Sequence, residues 1–136
     1  GGDFEAHYQV DLVRDSNYIL NNLNSDELKI LDARSEQRFK GSIPEPREHI
    51  ASGHIPNSLN LPYNKVLKNG KMKSKSELKK VFSKFNNEDE ELIFSCGSGV
   101  TACIILLASE LVISNKKSLY DGSWSEWGQL HKFPVE

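Results

Sequence analysis

A chain of 136 residues is long enough to build one domain around its own core, and such a core does not need disulfides. Its 17 basic and 19 acidic residues give a net charge of −2, which argues against a general nucleic-acid-binding protein. The longest apolar run, from Ala102 to Ala108, is much shorter than the roughly 20 residues of a membrane span. We therefore expect neither nucleic acid nor a membrane as a partner.

The two cysteines do not form a disulfide framework, and reduced thiols indicate a reducing compartment. We expect a cytoplasmic protein, or a mitochondrial one if the source is eukaryotic. The chain begins with Gly1 and Gly2 instead of methionine, which is typical of a cloning remnant. The residues that follow lack the basic and then apolar pattern of a signal peptide.

The hydrophobic pattern predicts strands that alternate with helices. The first predicted elements are a strand at 8–13, a helix to residue 23 capped by Asp15 or Ser16, a strand at 28–32, and a helical turn at 35–39 that Gly41 stops. A short strand at 58–61, a turn at Asn69–Gly70 and a helix to residue 85 that Ser74 or Ser76 opens are predicted next. The last predicted elements are a strand at 92–95, a helix to about residue 113, a strand at 118–121 and a short helix capped by Ser123. Residues 42–62 hold four of the five prolines, so most of this segment is predicted to be a loop.

Alternating strands and helices favour an α/β fold with three layers. We expect a central, mainly parallel sheet of about five strands with helices on both faces. In such folds the ligand site lies beyond the carboxyl ends of the strands. Asp32, Cys96 and Asp121 each end a predicted strand, so we expect them to converge.

The run from Leu92 to Ala102 predicts a strand, a tight loop and the start of a helix. Two glycines just after Cys96 allow the backbone to turn sharply. A loop that opens a helix points backbone N–H groups into one concavity, and the helix dipole adds positive potential there. Such a loop stabilises a thiolate, so Cys96 is the candidate nucleophile. Cys103 lies in the apolar run that follows and is predicted to be a core residue.

Six segments occur in an order that is typical of one family. They are Asp32–Ser35, Arg38–Gly41, Pro44–Arg47, Ser52–Pro56, Cys96–Ala102 and Tyr120–Trp127. With these segments the chain resembles a rhodanese domain, and specifically the carboxyl-terminal catalytic domain of the 3-mercaptopyruvate sulfurtransferases. The resemblance covers residues 28–127. It implies the rhodanese-like fold, and it implies that residues 1–136 are one rhodanese domain from a tandem protein whose amino-terminal rhodanese domain is missing here.

The resemblance also implies a sulfurtransferase that needs no cofactor. The enzyme would move the sulfur of 3-mercaptopyruvate to a persulfide on Cys96 and release pyruvate. A thiol acceptor such as thioredoxin or glutathione, or cyanide, would then take the sulfur. The residues that the resemblance assigns are the persulfide-stabilising loop Gly97, Ser98, Gly99, Val100 and Thr101, the proton relay Ser98, and the substrate-binding Arg38 and Arg47.

Three alternatives remain at this point. Thiosulfate is a compact dianion, and rhodanese domains that prefer it usually carry basic side chains directly after the cysteine. Gly97 and Ser98 stand there, which favours mercaptopyruvate over thiosulfate. A cysteine phosphatase would need an arginine at the end of the loop, where this chain has Ala102. A docking module with little activity is the third alternative, although such modules often lose the cysteine.

The other polar residues carry weaker signals. His54 is more simply a residue that fixes an irregular loop than a catalytic one. Asp121 either orients the cysteine loop or caps the last turn, and Asp32 is a further supporting candidate. The histidines show no ligand spacing, so we expect no metal site. Between Lys65 and Lys80 there are seven lysines and one acid, which form either a solvated face or a docking patch.

Overall fold

The computed structural model describes residues 13–85, 87–97 and 100–136. Most of the strand predicted at 8–13 therefore lies outside the described residues, as do Ser98 and Gly99 of the cysteine loop.

A central sheet of five parallel strands organises the described part of the chain. Its strands in spatial order are β1 (Val13–Arg14), β7 (Lys117–Tyr120), β6 (Glu91–Ser95), β2 (Leu28–Asp32) and β3 (Leu59–Asn60). Two further short strands, β4 (Leu67–Lys68) and β5 (Lys71–Met72), form a separate antiparallel pair. The sequence predicted the turn between them but not the strands, since two residues are too few to show an alternating pattern.

In the described residues four of the five helices lie between strands, and the fifth follows β7. The five helices are α1 (Ser16–Asn21), α2 (Glu36–Lys40), α3 (Lys75–Val81), α4 (Ala102–Glu110) and α5 (Ser123–Trp127). Short 3₁₀ turns lie at Tyr63–Val66 and Ser83–Phe85. Helices α3 and α4 are shorter than predicted, because the chain tightens into turns after Val81 and Glu110.

The helix starts follow local capping chemistry. The Asp15 carboxylate accepts a hydrogen bond from the Tyr18 backbone N–H at 2.9 Å. The Ser74 hydroxyl and the Glu77 carboxylate form a capping box at the start of α3. Gly41 ends α2 in the left-handed conformation (φ 75°), which glycine adopts without strain. The predicted cap at Ser123 is wrong, because Gly122 is the N-cap of α5 and Ser123 is its first residue.

Side chains alternate along β6 and divide the core into two parts. Leu92, Phe94 and Cys96 face a cluster that contains Ile105 of α4 and Phe82 beyond α3. Ile93 faces the other cluster, which contains the two tryptophans of α5 and Ile19 of α1. Helices thus cover both faces of the sheet, and the predicted α/β architecture is confirmed. Among the described residues no helix is long and apolar enough to cross a bilayer.

Candidate active site

Cys96 follows the last residue of β6, at the carboxyl edge of the sheet, and is 1% exposed. The neighbouring strand β2 ends in register, because Asp32 lies opposite Ser95. The Ala33 N–H donates to the Ser95 carbonyl at 2.8 Å, which continues the pairing of the two strands to the cysteine. The parallel sheet therefore brings Asp32 and Cys96 to the same edge, as predicted for parallel strands.

The segment after β7 holds the backbone of the cysteine. The Trp124 N–H donates to the Cys96 carbonyl and the Ser125 N–H donates to the Gly97 carbonyl, both at 2.8 Å. The Ser123 hydroxyl accepts from the Cys96 N–H at 3.1 Å and donates to the Tyr120 carbonyl at 2.9 Å. Ser123 has a φ of 51°, a rare value for a residue other than glycine. Both partners of its hydroxyl fix this conformation, so the start of α5 determines the position of Cys96.

A chain of buried ion pairs approaches the cysteine from the other side. Asp32 accepts from Arg34 through both carboxylate oxygens, and these two side chains are almost fully buried. The Arg34 guanidinium also donates to the Gly53 carbonyl at 2.7 Å and lies 4.5 Å from the centre of a Trp124 ring. Its Nη1 contacts Glu45 at 3.3 Å. These contacts fix Glu45, whose side chain is 4% exposed.

Glu45 in turn positions Arg38. The Arg38 Nε and Nη2 donate to the two Glu45 oxygens at 3.1 Å and 2.6 Å. These hydrogen bonds raise the pKa of Arg38, so the guanidinium is charged at any physiological pH. A Cβ built on Gly97 would lie 3.3 Å from Nη2 and 3.6 Å from Nη1 of Arg38. The outer edge of the guanidinium therefore lies against the residue that follows the cysteine, and glycine leaves room for it.

The geometry described so far places a buried cysteine at a strand end beside a fixed arginine, and the comparison with known proteins decides the family. The model of the rhodanese-like domain family matches residues 15–130. The chain belongs to this family.

Two curated relatives and one solved structure show to which proteins this rhodanese domain is similar. The chain is 39% identical to the 3-mercaptopyruvate sulfurtransferase of Escherichia coli (strain K12), over 99% of this chain and 48% of that protein. It is 38% identical to the thiosulfate sulfurtransferase of Cricetulus griseus, over 98% of this chain and 45% of that protein. The crystal structure of the 3-mercaptopyruvate sulfotransferase SseA from Escherichia coli matches with a TM-score of 0.68 and 36% identity, over 88% of this chain and 44% of that chain. The chain thus spans just under half the length of these relatives.

The rest of the cysteine loop is described in part. Val100 is 71% exposed, and Thr101 is the N-cap of α4 without a capping hydrogen bond from its side chain. Ser98 and Gly99 lie outside the described residues, so the proton relay assigned to Ser98 stays a prediction.

The predicted substrate arginines differ in their surroundings. Arg38 is held by Glu45, whereas Arg47 is exposed in the same loop, two residues after Glu45. Within the described part of the chain no ion pair includes Arg47. The structure thus gives Arg38 a fixed position at the site, and the substrate contact assigned to Arg47 stays a prediction.

His54 and Asp121 are the two remaining candidates, and they lie in different surroundings. The His54 ring stacks on the Phe39 ring at 3.9 Å, and its Nδ1 lies 2.7 Å from the Phe39 carbonyl. Its Nε2 lies 3.3 Å from the Glu136 carboxylate, so the imidazole joins α2 to the end of the chain. Asp121 is exposed and directly follows β7, so the parallel pairing of β6 and β7 brings it to the same edge of the sheet as Cys96, as predicted. The contacts of His54 are of the loop-fixing kind that the sequence favoured over a catalytic role, and the supporting role of Asp121 stays a prediction.

Cys103 is not the core residue that the sequence predicted, because it is exposed on α4. Partial burial of its thiol raises its pKa, and the nearby Cys96 and Asp121 raise that pKa further. The thiolate form of Cys103 is therefore disfavoured. Helix α4 is apolar on all sides, and its buried face consists of Ala102, Ile105, Ala108 and Ser109. Periodicity cannot identify the buried face of such a helix.

Three residues of this site were not predicted as site residues from the sequence. They are Arg34, Glu45 and Ser123. A signal for Glu45 exists in the sequence, because an acid between two prolines and close to the candidate substrate arginines is a natural partner for one of them. The hydroxyl of Ser123 has no such local signal, since its partner Cys96 is 27 residues away.

Proposed function

We propose that this rhodanese domain moves the sulfur of 3-mercaptopyruvate to a thiol acceptor or to cyanide through a persulfide on Cys96, with release of pyruvate. The observation that carries the proposal is the outer edge of the Arg38 guanidinium, which lies beside Gly97 and thus next to the nucleophile. A planar guanidinium can bind a carboxylate through two hydrogen bonds. Mercaptopyruvate carries its carboxylate two bonds away from the carbon that bears the sulfur, so one molecule can reach both groups.

In the first stage the Cys96 thiolate attacks the substrate sulfur. A new S–S bond forms, the C–S bond breaks, and its electron pair goes to carbon as the enolate of pyruvate. A proton then converts the enolate to pyruvate, and the predicted donor is Ser98. Arg38, with Arg47 as the second predicted arginine, binds the carboxylate and the keto oxygen, which stabilises the enolate charge.

The second stage returns the enzyme to its starting form. The thiolate of the acceptor attacks the outer sulfur of the persulfide, and Cys96 leaves as a thiolate. The carbonyl groups of Cys96 and Gly97 already accept hydrogen bonds from α5. The N–H groups from Gly97 to Thr101 are the ones that we propose stabilise the persulfide anion.

Thiosulfate is the second candidate donor, because a curated relative at 38% identity is named thiosulfate sulfurtransferase. Gly97 and Ser98 carry no charge, so the cation that the structure places beside the cysteine is Arg38, and one positive charge suits the monoanion mercaptopyruvate better than the dianion thiosulfate. We further propose that residues 1–136 are a single domain, the catalytic carboxyl-terminal half of a tandem protein. Reduced thiols suit such a protein in the cytoplasm, or in the mitochondrion of a eukaryote.

The test uses the reduced protein with 3-mercaptopyruvate and, in parallel, with thiosulfate. Pyruvate release and the intact mass are measured for the parent chain and for Cys96→Ser. We expect pyruvate and a mass gain of one sulfur atom with mercaptopyruvate only, and neither with the variant. Loading by thiosulfate alone would replace the proposed donor, and no loading by either donor would overturn the proposed activity of this chain.

A further inference from the structure

A basic groove of about 530 Å³ lies between α2 and α3. The end of α2, the segment after β3 and helix α3 form its walls. Five lysines line it: Lys40, Lys65, Lys73, Lys80 and Lys84. Between them the groove has an apolar floor that includes Phe39, Leu61 and Val81.

The groove is electropositive because few acids lie among these lysines. Glu36 is the one acid among the described residues that line it, and it accepts a hydrogen bond from Lys40 at 2.7 Å. That hydrogen bond and the charges of Lys40 and Lys65 lower the pKa of Glu36. The other four lysines form no ion pair with the described residues. The groove therefore offers several lysine charges to an anionic partner.

The groove begins close to the candidate active site. Asn60 lies opposite Asp32 in the sheet, and Asp32 lies opposite Ser95, which precedes Cys96. Two strand spacings separate Asn60 from Ser95, a distance of about 10 Å. Helix α2 links the two places, since Arg38 reaches the cysteine loop and the next two residues line the groove.

We infer that this groove binds an acidic segment of the protein that accepts the sulfur. Carboxylates of the partner would pair with Lys65, Lys80 and their neighbours, and an apolar side chain would contact the floor. Nucleic acid fits less well, because the described lining contains no arginine and one face of the Phe39 ring is already covered by His54.

The inference rests on the proposed function and deepens it. The groove would hold the acceptor protein while the cysteine thiolate of the acceptor attacks the outer sulfur of the Cys96 persulfide. The acceptor then carries the persulfide and Cys96 is again a thiolate. A small thiol or cyanide has no acidic segment, so the groove would not affect its reaction.

The test compares two short cysteine peptides of equal length. One contains several glutamates and a leucine, and the other has glutamine in place of each glutamate. The persulfide is first formed and verified by intact mass, and the rate of sulfur transfer to each peptide is then measured. We compare the parent chain with Lys65→Glu/Lys80→Glu and with the matched variant Lys71→Glu/Lys79→Glu, whose lysines lie outside the groove.

We expect the acidic peptide to react about fivefold or more faster than the glutamine peptide, and this advantage to fall as salt is added. The groove variant should remove the advantage, whereas the matched variant and transfer to cyanide should be little changed. Equal rates for both peptides, or equal losses in both variants, would overturn the inference.

Binding of the fluorescein-labelled acidic peptide to the unloaded protein separates the two proposals. If no persulfide forms, the proposed function fails, while the anisotropy of the labelled peptide still tests the groove. A labelled single-stranded RNA serves as the competing ligand. If it binds the groove more tightly than the peptide does, and the groove variant loses this binding, the inference is wrong and the groove binds nucleic acid.

Discussion

Both ends of β6 carry buried charges, but only one end leaves a charged group available. At the start of the strand, Glu91 accepts hydrogen bonds from Arg14 at 3.0 and 3.1 Å, from Tyr18 at 2.9 Å and from Ser118 at 2.6 Å. At its end, Arg34 contacts Glu45, and Glu45 holds Arg38, whose side chain is 30% exposed.

Both clusters consist of buried ion pairs, but they differ in whether all of their charged groups are occupied by partners. Burial alone would raise the pKa of Glu91, but its hydrogen bonds from Arg14, Ser118 and Tyr18 lower that pKa below its usual value. Four donors occupy this carboxylate, so the cluster joins α1, β1, β6 and β7. In the other cluster the Glu45 carboxylate holds the Nε–Nη2 edge of Arg38 and leaves the outer edge of the guanidinium at Gly97. The saturated cluster joins elements of the fold, whereas the open one leaves a guanidinium edge for the substrate that we propose.

Substitution of the two cysteines should give the largest effect. Cys96→Ser should abolish persulfide formation from mercaptopyruvate, because the thiolate is the proposed nucleophile. Cys103→Ser is the matched control and should retain most of the activity, since burial and nearby negative groups disfavour the Cys103 thiolate. Intact mass after donor treatment measures both results. A sulfur on Cys103 in the Cys96→Ser chain would contradict this assignment.

Glu45→Gln should weaken the contact that positions Arg38 at the end of β6. Loss of the Glu45 charge leaves Arg38 without its fixed partner, and we expect KM for mercaptopyruvate to rise about tenfold or more. Glu45→Asp should restore part of the loss. Steady-state kinetics of pyruvate release separate KM from kcat, and Glu48→Gln, an exposed glutamate of the same loop, is the control. Unchanged kinetics in Glu45→Gln would show that Arg38 does not need this partner.

Glu91→Gln should affect stability and not activity. The variant keeps the shape of the side chain but removes the charge that Arg14 faces, so unfolding should become easier by about 2 kcal/mol. Urea unfolding measures the change, and Glu88→Gln on the exposed loop before β6 is the control. A fall in kcat/KM without a fall in stability would overturn the distinction between the two clusters.

The pH dependence of stability should show a smaller effect of the same residue. The folded pKa of Glu91 lies below its ordinary value of 4.5, so the charged form stabilises the native state above that pH. This stability is lost as the pH falls from 4.5 through the lowered folded pKa. Unfolding measured from about pH 6 to about pH 3 should therefore change more steeply for the parent chain than for Glu91→Gln. If the free energy of unfolding changes equally with pH in both chains, carboxylates other than Glu91 cause the loss of stability in acid.

Local patterns were sufficient for several elements. Strand β2 has the predicted bounds, Ser74 opens α3 with Glu77, and Gly41 ends α2 as predicted. Each of these signals depends on residues a few positions apart, which interact in the same way in any surrounding fold. The extents of α3 and α4 were less predictable, because apolar side chains continue into turns that pack against the same core.

Patterns along the chain were enough to predict the α/β architecture, the position of Cys96 at the end of a strand and the family resemblance, because strand and helix periods and motif order can be seen in the sequence. The folded structure was needed to find the contact between Ser123 and Cys96, the ion pairs that fix Arg38 and the exposed position of Cys103. These features depend on which loops meet at the edge of the sheet and on which side of an apolar helix packs inward. Apart from the local signal for Glu45, the spacing of neighbouring residues does not indicate these features.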